Sequence, residues 1–217
     1  SLEQSKANKT KAELCRQYNL DPDATIICLM PGSRKSEIKY HLATMIAAAK
    51  VINTKIKCQF IIPLASTIDA SLIKDQIPAE LSSNTHIIES DQYNIIAASD
   101  QVVAASGTAA LEIALLGKPL CVIYKTSNIS YMIAKRVIKV PFISLPNIIA
   151  GKLIIPEFIQ DHANIDNIVQ WVLELKQKPE QRLELCRELN SIKNLLTANG
   201  KVINVSDCLQ NQLDKLN

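Results

Sequence analysis

Short apolar runs alternate along the chain with longer stretches in which apolar residues recur every three or four positions. Residues 25–30 (TIICLM) are apolar almost throughout and stop at Pro31-Gly32. The next apolar positions, Ile38, Leu42, Met45, Ile46 and Ala49, fall on one face of a helix opening at Ser36. The runs at 58–64, 85–89, 101–105 and 120–124 predict further strands, and 141–145 a last one. Helices are predicted at 11–18, at 67–77 with Pro78 ending it, at 93–98, and at 108–116 with Gly117 closing it. Another is predicted at 127–139, capped by Ser127 or Asn128, and three more at 165–177, 179–196 and 202–216. Residues 147–160 read as irregular and rich in polar side chains.

Strands that are apolar throughout are buried on both faces. Strands alternating with helices call for right-handed crossovers and a parallel sheet. The expected class is α/β, a Rossmann-like, doubly wound parallel sheet. Residues 1–164 form the expected domain, and 165–217 supply its C-terminal helices.

Composition narrows the function more than the fold. The chain has 217 residues, 47% of them hydrophobic, enough for one large domain or a domain with a tail. Its net charge of +3, the lack of a Lys/Arg block and an aromatic content of 4% speak against nucleic acid as a partner. The six cysteines form no CxxC pair, and Cys28, Cys58 and Cys121 sit inside apolar runs, as buried free thiols of a reducing compartment do. The three histidines stand apart from the cysteines, which argues against zinc; no metal and no cofactor are expected. No signal-peptide pattern opens the chain. The longest apolar stretch, 102–124, carries Glu112 and Lys118 and is broken by Gly107 and Pro119, so no segment is expected to span a bilayer.

In doubly wound sheets, ligands bind where strands end and loops lead into helices. Two such loops stand out. In Pro31-Gly32-Ser33-Arg34, a strand end is followed by a fixed positive charge suited to a phosphate, and Glu37 lies three residues on. Glu37 is read either as a ligand contact or as the partner of a capping box or of Arg34. In Ser106-Gly107-Thr108, a strand runs into a helix whose first amides and dipole favour an anion, with two hydroxyls beside them. An ordinary N-cap turn has the same letters. Glu112 lies one turn further, within ALEIALL, where a carboxylate either accepts from a ribose diol or sits at the solvent edge. Two anion-shaped loops on one sheet suggest a diphosphate, and hence a nucleotide.

Three segments, LMPGSRKSEI, SDQVVAASGTAALEIALLGKPLCVIYK and FISLPNIIAGKLIIPEFIQ, resemble in order and spacing the lipid-A-disaccharide synthase family. The likeness is close over residues 26–160 and one of pattern over the terminal helices. SGTxxxE alone would also suit a peptidoglycan N-acetylglucosaminyltransferase or a UDP-sugar 2-epimerase, and a non-catalytic UDP-binding module is the alternative from another class. The resemblance implies the C-terminal, donor-binding half of a GT-B glycosyltransferase. The family reaction it implies moves 2,3-diacylglucosamine from UDP to 2,3-diacylglucosamine 1-phosphate (lipid X), giving the lipid A disaccharide phosphate. The acceptor site and general base would belong to an N-terminal half without counterpart here, so this chain alone would be inactive. Carried onto matching positions, Ser33, Arg34 and Glu37 line the donor site, and Ser106, Gly107 and Thr108 hold the diphosphate. Glu112 binds ribose, and Asn147, Glu157 and Gln160 reach the UDP or the donor sugar. Arg34 also stabilises the leaving group. The resemblance further implies a cytoplasmic, peripheral place on the inner face of the bacterial inner membrane. The basic, apolar stretch 131–139 is read as a core helix with a wet basic side, or as a contact to anionic lipid. The last helix, 202–216, is expected to pack on the missing half or to exchange between two chains of a homodimer.

Overall fold

The computed structural model describes residues 7–127 and 141–197. The helix predicted over 127–139, beyond Ser127 itself, and the one over 202–216 lie outside them. In chain order the elements are α1 (Lys11–Gln17), β1 (Thr25–Met30), α2 (Lys35–Asn53), β2 (Cys58–Pro63), α3 (Ser71–Lys74), α4 (Ala79–Ser82) and β3 (Thr85–Ile88). Then come α5 (Gln92–Ala98), β4 (Gln101–Ala105), α6 (Thr108–Leu115), β5 (Leu120–Tyr124), α7 (Leu145–Ala150) and β6 (Glu157–Ile159). A 3-10 turn, Gln160–His162, leads to α8 (Ile165–Gln177) and α9 (Pro179–Thr197).

The six strands are all parallel, in the order β3-β2-β1-β4-β5-β6. Cys28 sits at the centre, paired with Ile61 on one side and Val102 on the other. The central strands show why their sequences are apolar without alternation: Ile26, Ile27, Cys28 and Leu29 are buried, as is every residue of β4. Helices cover both faces of such a sheet. Apolar positions of α2, among them Ile38, Leu42 and Met45, are buried, and α2 packs on α8. α9 packs on α6, α7 and α8, and Leu189, Ile192 and Leu196 join the same core as the strands. The chain runs outward from β1 to β2 and β3, then returns to place β4 on the other side of β1. That reversal opens a crevice at the carboxyl ends of β1 and β4.

Three expectations change. Of the helix predicted at 67–77, only the single turn α3 forms. The Thr67 hydroxyl donates to the Ser33 carbonyl (2.7 Å), and the Asp69 carboxylate takes the Ser71 amide (2.9 Å) and hydroxyl (2.8 Å), so side chains hold 67–71 as a turn. Residues 141–145 are not a strand. Ser144 is extended as the N-cap of α7, and Pro146 stands in its first turn, where a missing N–H costs nothing. The last strand is instead β6, from the stretch read as irregular.

Candidate functional site

The first wall of the crevice is the turn after β1. Gly32 has φ +122, a left-handed conformation, and a β-carbon there would collide with the Glu37 side chain. That space lets Glu37 fold back: its Oε2 accepts the amides of Ser33 (2.8 Å) and Arg34 (3.2 Å), satisfying two donors that α2 leaves open. Its Oε1 accepts from Arg34 Nη1 at 3.2 Å. Arg34 otherwise stands in solvent, with 79% of its side chain exposed. An ion pair this exposed is worth about 0–1 kcal/mol, so Glu37 holds Arg34 only loosely.

The second wall is the turn after β4. The Ser106 amide donates to the Ile123 carbonyl (3.0 Å), continuing the ladder to β5. Gly107 follows in extended backbone (φ 164), and α6 starts at Thr108 with no side chain capping its first amides. A β-carbon on Gly107 would meet nothing within 4 Å. Neither backbone conformation nor packing requires a glycine there; what the missing side chain leaves open is the crevice itself.

The two turns face each other across a cavity of about 390 Å³, which gathers Ser33, Arg34, Glu37, Ser106, Gly107, Thr108 and Glu112. Glu112, half-buried on α6, has no hydrogen-bond partner among the described residues, so its carboxylate is a free acceptor facing the cavity. Gln92, the first residue of α5, also lines it and was not singled out in the sequence.

The other three expected residues do not line this cavity. Asn147 is buried and its carboxamide is fully used. Its Oδ1 accepts the amides of Ile154 (2.8 Å) and Ile155 (3.0 Å), and its Nδ2 donates to the Ile155 carbonyl (2.9 Å) and to Glu157 Oε1 (2.8 Å). Glu157 accepts from the amides of Ile143 and Ser144 (2.9 Å each) and from the Ser144 hydroxyl (2.6 Å), so it holds the start of α7. Gln160, at φ +50, pairs its carboxamide with both the amide (2.9 Å) and the carbonyl (3.2 Å) of Thr126, as a neighbouring strand would. These residues frame the exit of β5 and the approach to the second turn, where the Ser106 hydroxyl reaches the Ile143 carbonyl at 3.5 Å. In this structure their side chains make these internal bonds and stand outside the cavity lining.

His41 is a further residue of this edge, buried on α2. The sequence placed it three residues after Ile38, on the apolar face, and that position was the signal of its burial. Burial holds its imidazole below the ordinary value. His86 and His162 lie on β3 and in the 3-10 turn. Among the described residues no cluster of His, Cys, Asp and Glu could hold a metal ion, and no helix is long and apolar enough to cross a membrane.

A doubly wound parallel sheet with its cavity at the switch point is an architecture that nucleotide-binding folds of several kinds share. The fold is similar to the C-terminal domain of a glycosyl transferase group 1 family protein from Francisella tularensis (TM-score 0.61, 13% identity, 94% of this chain and 99% of that one). It is also similar to the UDP-GlcNAc 2-epimerase from Neisseria meningitidis, solved bound to UDP-GlcNAc (TM-score 0.55, 18% identity, 94% of this chain and 48% of that one). At the level of sequence the likeness is narrower. The family model described as lipid-A-disaccharide synthetase matches residues 2–207, and the chain belongs to that family. The lipid-A-disaccharide synthase of Syntrophus aciditrophicus (strain SB) is 39% identical over 200 residues, 92% of this chain and 52% of that protein. That of Coxiella burnetii (strain CbuG_Q212) is 35% identical over 203 residues, 93% of this chain and 53% of that protein. The chain thus spans about half the length of the curated relatives it matches.

Proposed function

We propose that this chain is the donor-binding half of a lipid-A-disaccharide synthase and that the switch-point cavity takes the UDP end of the donor. The observation that carries this reading is the convergence on one cavity of Arg34, the uncapped amides of α6 and Glu112, which has no partner among the described residues. The amides of α6 and the hydroxyls of Ser106 and Thr108 hold the diphosphate, with the helix dipole favouring the anion. Glu112 accepts from the ribose hydroxyls. Ser33 and Glu37 shape the first wall, and Arg34 supplies the charge.

In the reaction, a hydroxyl oxygen of lipid X forms a bond to the anomeric carbon of 2,3-diacylglucosamine as the bond to the UDP β-phosphate oxygen breaks. The hydroxyl proton goes to a general base in the acceptor half, outside this chain, and UDP leaves with the electron pair. Negative charge grows on the diphosphate in that step, so Arg34 and the α6 amides lower the barrier by electrostatic stabilisation of the leaving group. Both substrates carry acyl chains, which supports a reaction at a membrane surface, on this reading the inner face of the bacterial inner membrane. Residues 1–164 would serve as the UDP-sugar domain and 165–217 as its terminal helices; the helix exchange and lipid contact expected of 202–216 and 131–139 lie outside the described residues.

Calorimetric titration with UDP tests the reading. The chain is expected to bind UDP saturably, to lose binding with Glu112→Ala, and to lose about 1.5–3 kcal/mol of affinity with Arg34→Ala. Unchanged affinity in both variants would remove the cavity from the donor site. The chain alone is expected to form no disaccharide from UDP-2,3-diacylglucosamine and lipid X, and turnover would overturn the half-enzyme reading.

A further inference from the structure

His41 makes two hydrogen bonds that no packing role requires. Its Nδ1 lies 3.1 Å from the Pro31 carbonyl, and the Lys125 amide reaches its Nε2 at 3.0 Å. A backbone amide only donates, so Nε2 is the bare nitrogen and Nδ1 carries the proton that goes to Pro31. The two backbone partners therefore set the tautomer, and burial favours the neutral ring. Pro31 follows β1 and Lys125 follows β5, the strands on either side of β4. The ring thus spans the strand whose end carries Ser106-Gly107-Thr108 and fastens the residue that opens the Gly32-Ser33-Arg34 turn. A second bond, from Lys125 Nζ to the Thr44 hydroxyl (3.2 Å), ties the β5 exit to the same helix.

We propose that His41 is a positioning residue of the nucleotide site, its Nδ1-protonated ring bridging the Pro31 carbonyl and the Lys125 amide so that the two turns keep their separation. This rests on the donor-site reading above. The ring touches no ligand; it acts through Pro31, which sets where Ser33 and Arg34 stand, and through Lys125, which sets the β5 exit paired to Ser106. A histidine that merely fills space would be replaceable by an apolar ring.

The test uses this chain with His41→Phe, which keeps a ring and loses both bonds, and His41→Asn, whose Nδ2 takes the place of Nδ1 and keeps the bond to Pro31. Amide hydrogen exchange at Ser33, Arg34 and Lys125 and calorimetric UDP affinity are read in each. In His41→Phe all three amides are expected to exchange about five- to tenfold faster, and UDP to bind about five- to tenfold more weakly, the scale of one lost hydrogen bond. In His41→Asn, Ser33, Arg34 and UDP affinity return toward wild type while Lys125 stays fast. Equal losses in the two variants, or a phenylalanine variant that lowers only the melting temperature, would overturn the proposal. If the phenylalanine variant does not fold, the ring nitrogens of the wild type decide: a proton found on Nε2 by 15N NMR would contradict the bridge. A wild-type chain that does not bind UDP would sink the donor-site reading, and the exchange data would still decide whether His41 positions the turn.

Discussion

Gly32 and Gly107 each follow a strand at the switch point, and they are glycines for opposite reasons. Gly32 is required by the protein, through a left-handed backbone and the Glu37 side chain packed where a β-carbon would stand. Gly107 is required by nothing among the described residues. Gly32→Ala is therefore expected to cost about 1–3 kcal/mol of stability, read as a fall in melting temperature. Gly107→Ala should leave stability within about 0.5 kcal/mol of wild type yet weaken UDP at least tenfold in the same titration. A variant that binds UDP normally would show that Gly107 guards no ligand. Asn147 presents the reverse case, a polar residue whose work is internal. Asn147→Ala strands the amides of Ile154 and Ile155 and is expected to destabilise the fold by about 3 kcal/mol, measured by denaturant unfolding. The family resemblance singled out Asn147, Glu157 and Gln160 but not which way their side chains turn. That direction depends on α7 and β6 meeting, a contact between elements that spacing does not encode.

At the scale of elements, β1, β2, β4 and β5 were legible because burial on both faces makes a strand apolar in nearly every position. β6 was not, being three half-buried residues with no pattern to read. The start of α7 was open to reading: Ser144, Pro146 and Gly151 are helix punctuation, but the apolar letters around them look like a strand. The failed helix at 67–77 was lost to side-chain bonds from Thr67 and Asp69, which local periodicity does not see. The N-terminal arm depends on a similar device. Asp91 accepts from Lys9 Nζ, the Tyr18 hydroxyl and Gln17 Nε2, and these bonds, that of Lys9 foremost, hold its carboxyl down at about 2 against an ordinary 3.8. A depressed carboxyl stabilises the fold above its unfolded value and loses that contribution as pH falls through the folded one. The hold of Asp91 on α1 is thus complete above pH 3.8 and fades towards about 2. Hydrogen exchange in α1 is expected to accelerate across that window in the wild type, with Asp91→Asn showing no such step.

At the scale of the molecule, the cavity is built from two halves of the chain that meet along the β1–β4 ladder, Ile27 to Met30 against Gln101 to Ala104. Each half contributes one turn, so a bound nucleotide would straddle a seam. Fluctuations that part β1 from β4 would have to release it first, whereas fraying of β3 at the far edge would not. By mass action, a ligand at about a hundred times its dissociation constant suppresses such openings by about 2.7 kcal/mol, roughly a hundredfold in exchange rate. UDP is therefore expected to slow the amides of the β1–β4 ladder by up to that factor, provided they exchange by local opening, and to leave those of β3 nearly unchanged. Uniform slowing, or none at the seam, would contradict this. The reversal of strand order gives the fold more than a place for a ligand: it turns occupancy of a surface crevice into a lock on the middle of the sheet.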